Sequence, residues 1–205
     1  MTSCQAHGTS LAANISFRLR SDEALMFRIL SLDGGGIKGA LLVAIEEEIK
    51  EPIGEYFDLI AGTSTGGILA LGLGFRIPTG KIMEFYRDMD PLIFPATGRL
   101  GVKGFVRQIF GTKHSHAELR AALLRVLADR KFGESRSRLI IPTYDAVRGR
   151  IFLLKTAHHP RFHYDVGALA VDVALATSAA PTYFAAAAFP THLGSSFVDD
   201  GVWAK

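Results

Sequence analysis

Ser64 stands between Gly62 and Gly66 in the run Ala61-Gly62-Thr63-Ser64-Thr65-Gly66-Gly67. A serine so placed can act as a nucleophile where the chain turns sharply from a strand into a helix, because the strained backbone there projects the hydroxyl. The flanking residues predict such a turn. Residues 56–61 read as a buried strand and 68–71 as the start of a helix. Glycines two positions either side let neighbouring backbone pass without a Cβ clash. The helix N-terminus favours negative charge developing beside the serine. Gly/Ser-rich turns are common, so the motif draws its force from this context.

A second glycine cluster, Asp33-Gly34-Gly35-Gly36-Ile37-Lys38-Gly39, follows a β-prone run at 27–32 and precedes a helix-forming run at 40–50. A glycine-rich strand-to-helix loop offers free backbone N–H groups to a phosphate or to the oxyanion of acyl transfer. A P-loop requires Ser or Thr after Gly-Lys, and here Lys38 is followed by Gly39. A dinucleotide fingerprint is formally met by Gly34, Gly36 and Gly39, but it wants an acid at the end of the next strand, about 20 residues on. Asp58 lies at the start of its strand instead. An oxyanion loop facing a serine accounts for both clusters. A nucleotide binder dependent on Gly34 and Gly36 is the rival.

With these motifs laid out, the chain resembles the patatin-like phospholipases. The resemblance rests on Asp-Gly-Gly-Gly-Ile-Lys-Gly (33–39), Gly-Thr-Ser-Thr-Gly (62–66) and Phe-Val-Asp-Asp-Gly-Val-Trp-Ala (197–204), in that order. The stretch 176–184, Ala-Thr-Ser-Ala-Ala-Pro-Thr-Tyr-Phe, is also similar to the family's segment ahead of the third block. It implies a lipid acyl hydrolase of the phospholipase A type that uses a Ser–Asp dyad without histidine, metal or cofactor. Ser64 is then the nucleophile, and the amides of Gly34, Gly35 and Gly36 form the oxyanion hole. Lys38 stands where the family carries arginine, whose planar fork lysine lacks.

In the third block, alignment through Phe197-Val198 and Val202-Trp203-Ala204 implies Asp199 as the catalytic carboxylate, with Asp200 in place of a glycine. The rival register uses Asp200-Gly201. Adjacent residues on an extended segment point to opposite sides, so one of the two reaches Ser64. A carboxylate near its reference pKa of about 4 is a weak base toward serine. It serves when burial weakens its solvation and it hydrogen-bonds the hydroxyl. The same aspartate then activates the water that hydrolyses the acyl-enzyme. A Ser-Asp-His order is also available, through Asp145 with His158, His159, His163 or His192, but none of these sits in a recognisable triad loop.

The elements that must position these groups alternate. Strand-like runs at 27–32, 56–61, 138–142 and 150–154 are separated by helical stretches, which predicts a three-layer α/β/α fold around a mainly parallel sheet. Ser115 and Glu118 form a candidate capping box, ahead of an apolar face of Leu119, Leu123, Val126 and Leu127. Asp88 and Asp90 read as an acidic turn ending at Pro91. The 205 residues, 48% hydrophobic with 21 glycines, suit one domain spanning 27–205 after an N-terminal extension, 1–26. The family resemblance implies a domain that continues past the third block, so a C-terminal truncation is expected. One cysteine, Cys4, excludes an intrachain disulfide.

Residues 1–20 lack the apolar core of a signal peptide, and the uncharged run 59–75 is short for a membrane span. A cytoplasmic protein, peripheral on membranes, is expected. Between Arg99 and Arg161 there are 14 Lys/Arg against 4 Asp/Glu, while the remainder carries 9 against 16, within a total of +3. Solvated surface cations explain most such asymmetry. The sharper alternative is a basic face for an anionic membrane, with Lys103, Arg107 and Lys113 interleaved with Phe105, Val106, Ile109 and Phe110. Nucleic acid is not expected, because no recognition motif accompanies the charge. His114/His116 and His158/His159/His163 lack carboxylate or cysteine partners at metal-ligand spacing. Two alternatives to the simple hydrolase stay open. One is a catalytically weak module that keeps the fold, prompted by Lys38 and Asp200. The other, implied by resemblance to bacterial members, is a nucleotide-activated antiphage effector.

Overall fold

In a computed structural model of the chain, residues 26–34, 39–93, 114–179, 192 and 194–199 are described. In chain order, β1 (Ile29–Leu32) leads to α1 (Gly39–Ile49), α2 (Ile53–Tyr56) and β2 (Leu59–Gly62). Then follow α3 (Thr65–Gly74), α4 (Thr79–Ile93), α5 (His114–Leu127), β3 (Arg138–Asp145), β4 (Arg150–Lys155), α6 (Ala170–Ser178) and β5 (Phe197–Val198). The expected α/β fold is present: a central sheet of mostly parallel strands flanked by helices.

The strands lie in the order β1-β2-β3-β4, with β1, β2 and β3 parallel and β4 antiparallel to β3. β5 also pairs antiparallel with β3, through Tyr144–Val198 and Asp145–Phe197. Because β4 occupies the 140–145 stretch of one β3 edge, β5 must take the other edge. β2 uses that same edge lower down, at 138–140. β2 and β5 therefore approach one another end to end along β3. The residue after β5 is thereby aimed at the residues after β2.

The alternation in the strands follows this geometry. Leu30, Leu32, Ile60, Leu139, Ile141 and Leu154 are buried on the face against which α3 and α6 pack. Phe27, Ile29 and Ile151, by contrast, are about half exposed. α3 is buried along all ten of its residues, which is why its sequence shows no polar face. Around it, Tyr86 of α4 donates a hydrogen bond to the Thr65 carbonyl at 2.9 Å, and Glu46 of α1 accepts from Thr79 of α4 at 2.6 Å. On α5, Leu119, Leu123 and Leu127 are buried as the apolar spacing predicts.

Several local expectations shift. Residues 56–58 fall outside the strand, since the chain makes the helical turn α2 before β2 begins at Leu59. α5 begins at His114, so Ser115 lies inside the helix and is not its N-cap. Asp88 and Asp90 belong to α4, which continues through Pro91 to Ile93, and form no turn. Residues 1–25, the basic stretch 94–113 and residues 200–205 lie outside the described residues.

The junction of β5 with β3 has a buried polar anchor. The single Thr143 hydroxyl proton is shared between the carbonyls of Val198 at 2.8 Å and Ala176 at 3.2 Å, in a fully buried setting. Thr143→Val keeps the shape and removes the donor, which should lower stability by about 1–2 kcal/mol. A urea titration of variant and wild type checks this, with an unchanged slope expected.

Candidate active site

Ser64 has φ 56° and ψ −124°, a left-handed conformation that a non-glycine residue rarely adopts. Such backbone costs on the order of 1–3 kcal/mol and persists only when its surroundings fix it. Three sets of hydrogen bonds do so. The Ser64 N–H donates to Thr177 Oγ1 at 3.0 Å, and the Ser64 carbonyl accepts from Gly67 at 3.0 Å and Ile68 at 3.2 Å. Thr63 N–H donates to the Leu32 carbonyl at 3.1 Å, tying the turn to β1. Thr177, fully buried, passes its own proton to the Pro142 carbonyl at 2.8 Å, so its oxygen is left to accept from Ser64.

Space at the turn is equally constrained. A Cβ on Gly66 would sit 2.0 Å from the Leu32 carbonyl oxygen, and one on Gly62 would sit 2.2 Å from the Gly66 oxygen. The G-x-S-x-G spacing is therefore a packing requirement: β1, β2 and α3 touch through backbone at those two positions. Gly34, two residues past the end of β1, faces the serine directly. A Cβ there would lie 2.8 Å from Ser64 Cβ and 3.5 Å from Ser64 Oγ.

The serine hydroxyl donates to Asp199 Oδ2 at 2.8 Å across 135 residues of chain. Asp199 follows β5 directly, is 7% exposed, and has its N–H bonded to the Ala179 carbonyl at 2.6 Å. Burial with a hydroxyl in hydrogen-bond contact is the setting in which a carboxylate can act as a base toward serine. Of the predicted site residues, the fold thus brings Ser64, Asp199 and Gly34 together. Gly35, Gly36, Lys38 and Asp200 lie outside the described residues.

No triad assembles among the described residues. Asp145 is fully buried, and although burial opposes its ionisation, the Arg148 guanidinium at 2.8 Å and the N–H groups of Arg148 and Val147 hold its carboxyl below the usual range. His192 pairs instead with Asp165 at 2.7 Å, and His158 contacts Thr156 at 3.1 Å. Burial, with Arg138 and Lys155 nearby, depresses the His158 pKa. His159 and His163 bond local backbone. Among the described residues no group of His, Cys, Asp and Glu could hold a metal ion.

Sequence reasoning missed Thr177 and Tyr86. Thr177 lies in the 176–184 stretch, and the resemblance there implies no role for it. Tyr86 carries no motif; only its burial, which pushes its pKa far up, and its bond to the first turn of α3 mark it.

The family model for patatin-like phospholipases matches residues 30–203. The chain belongs to that family. A cGAMP-activated phospholipase of Vibrio cholerae is 37% identical over 194 residues, covering 87% of this chain and 54% of the relative. One of Pseudomonas aeruginosa is 36% identical over 166 residues, covering 77% and 48%. Patatin-like protein 2 of Arabidopsis thaliana is 34% identical over 179 residues, covering 77% and 43%. The chain thus spans about half the length of the curated relatives it matches. This patatin-family match takes in the Ser64 turn and Asp199 alike.

The packing at this patatin turn predicts opposite outcomes for two glycines. Gly66→Ala should cost about 3 kcal/mol or more, or prevent folding, since its neighbour is backbone that cannot rotate away. Gly80→Ala, where a Cβ would meet nothing within 4 Å, should leave stability unchanged or raise it by up to about 1 kcal/mol. Thermal or urea unfolding of both variants checks the pair.

Proposed function

We propose that this patatin-family domain hydrolyses fatty-acyl esters of phospholipids, with Ser64 as nucleophile and Asp199 as general base. The observation that carries the proposal is the 2.8 Å hydrogen bond from Ser64 Oγ to the buried Asp199 carboxylate. In the forward step Ser64 Oγ attacks the acyl carbonyl carbon while its proton passes to Asp199. The carbonyl oxygen becomes an oxyanion, held in this proposal by N–H groups of the loop containing Gly34, Gly35 and Gly36. Collapse breaks the ester bond, and Asp199 returns the proton to the departing alcohol. A water then gives its proton to Asp199 and attacks the acyl-serine, and as the fatty acid leaves, Asp199 returns that proton to Ser64 Oγ.

The surrounding structure supports each role. The fixed positive φ of Ser64 holds its oxygen in position before substrate arrives, so little reorganisation is needed during attack. The absence of a side chain on Gly34 leaves the space beside the hydroxyl for the acyl group. Thr177 acts through the Ser64 backbone and is a positioning residue. Lipid action places the protein at a membrane surface as a peripheral enzyme. Among the described residues no helix is long and apolar enough to cross a membrane.

A second reading is favoured by the names of the relatives: the Vibrio and Pseudomonas proteins are cGAMP-activated phospholipases. In it, turnover by this chain stays low until a cyclic nucleotide binds. Comparing turnover with and without added cGAMP separates the readings, since a stimulated rate belongs to the second alone.

Steady-state hydrolysis of a short-chain acyl ester tests the residue roles. Ser64→Ala should fall to the uncatalysed background. Asp199→Asn should lose roughly 10²–10⁴-fold in kcat, as expected for removal of a general base, while Asp200→Asn retains turnover. Thr177→Val should lose about tenfold in kcat with KM unchanged, equivalent to one hydrogen bond. Thr177→Ser should restore it. Full activity of Asp199→Asn would rule out its role as base.

A further inference from the structure

A cavity of about 390 Å³ opens between the end of α3, the start of α4 and the C-terminal half of α5. Its floor is apolar, with Phe75 and Phe85 each 8% exposed. Its rim is cationic: Arg76, Lys81, Arg125 and Arg130 line it, against the single carboxylate of Glu84. Arg76 is engaged, bridging Glu55 at 3.6 Å and Ser137 at 3.3 Å. Among the described residues the other three form no ion pair. The Arg130 side chain donates to the Phe75 carbonyl at 3.4 Å and lies 5.6 Å from that ring. Among the described residues, the side chains of Lys81 and Arg125 make no ion pair and no hydrogen bond.

Cations gathered round one concavity repel each other, and an anion that bridges them relieves the repulsion. Guanidinium groups present forked donors that match phosphate oxygens, and an ammonium adds a point charge. The volume falls in the range that holds small organic ligands. An inorganic anion would leave uncovered the small apolar surface that Phe75 and Phe85 expose at the floor. The occupant that uses both halves is a phosphate ester whose body is flat or apolar.

We infer that this cavity is a binding site for an organic phosphate, its phosphate held by Lys81, Arg125 and Arg130 and its body laid against Phe75 and Phe85. The site is separate from the catalytic serine. α3 runs between them, with Ser64 before its first residue and Phe75 after its last, a span of about 15 Å at 1.5 Å per residue. Two sources share this chemistry: a nucleotide, with its base on the rings, and a phospholipid headgroup, with the start of its acyl chains there.

Isothermal titration of the full chain carrying Ser64→Ala tests the site without turnover and independently of any catalytic role. Three probes are needed: adenosine monophosphate, dibutanoyl phosphatidic acid and inorganic phosphate. At least one ester should bind saturably and more tightly than inorganic phosphate. Lys81→Ala and Arg125→Ala, both at exposed positions, should each weaken it by about tenfold or more, as loss of a charge-assisted hydrogen bond implies. Tighter adenosine monophosphate marks a nucleotide site, and tighter phosphatidic acid marks a headgroup site. Absence of ester binding, esters no tighter than inorganic phosphate, or binding unchanged in both variants would overturn the inference.

Discussion

The positive φ of Ser64 is the constraint around which the rest of this structure is arranged. A serine left to itself avoids that conformation, so the surrounding fold must supply what it costs. The carbonyl of Leu32, the hydroxyl of Thr177 and the N–H groups of Gly67 and Ile68 each fix one bond of the turn. These come from three separate parts of the chain: β1, α6 and α3. None can move without releasing the strain. The contacts of Gly62 and Gly66 extend the same logic from hydrogen bonds to volume, because both positions meet backbone that has no alternative rotamer.

The second requirement is to deliver a carboxylate to that serine from 135 residues away. β3 does this by serving β2 and β5 along one edge in opposite directions. The strand leading into the Ser64 turn and the strand leading into Asp199 end facing each other, so the Ser64–Asp199 contact is a consequence of register. A one-residue slip of β5 would turn Asp199 to the other face and present its neighbour. The shared Thr143 proton on Val198 and Ala176 guards that register from beneath, tying β5 and the end of α6 to the same buried hydroxyl.

How far the sequence reveals this depends on the range of the interaction. The Gly62-x-Ser64-x-Gly66 turn is legible because its requirements are local: glycine where backbone touches backbone, and a strand and helix on either side. The preference for Asp199 came from resemblance and register, since no local rule separates Asp199 from Asp200. Thr177 was illegible as a support, because its partners Ser64 and Pro142 lie 113 and 35 residues away. The strand run at 56–58 misled because Tyr56 and Phe57 are β-prone and buried, yet they are buried by the α2 turn and not by sheet pairing. In the sequence Arg125 and Arg130 belong to the basic stretch 99–161 and Lys81 does not; α4 and α5 bring the three together at one cavity.

The central claim is that Ser64, activated by Asp199 without a histidine, is the nucleophile. Labelling with a fluorophosphonate, followed by peptide mass spectrometry, tests it most directly because the adduct records which oxygen attacked. The account predicts a single phosphonyl adduct on Ser64, its formation slowed strongly by Asp199→Asn and unaffected by His192→Asn. An adduct on another residue, or labelling of Ser64 that depends on His192 and not on Asp199, would contradict it.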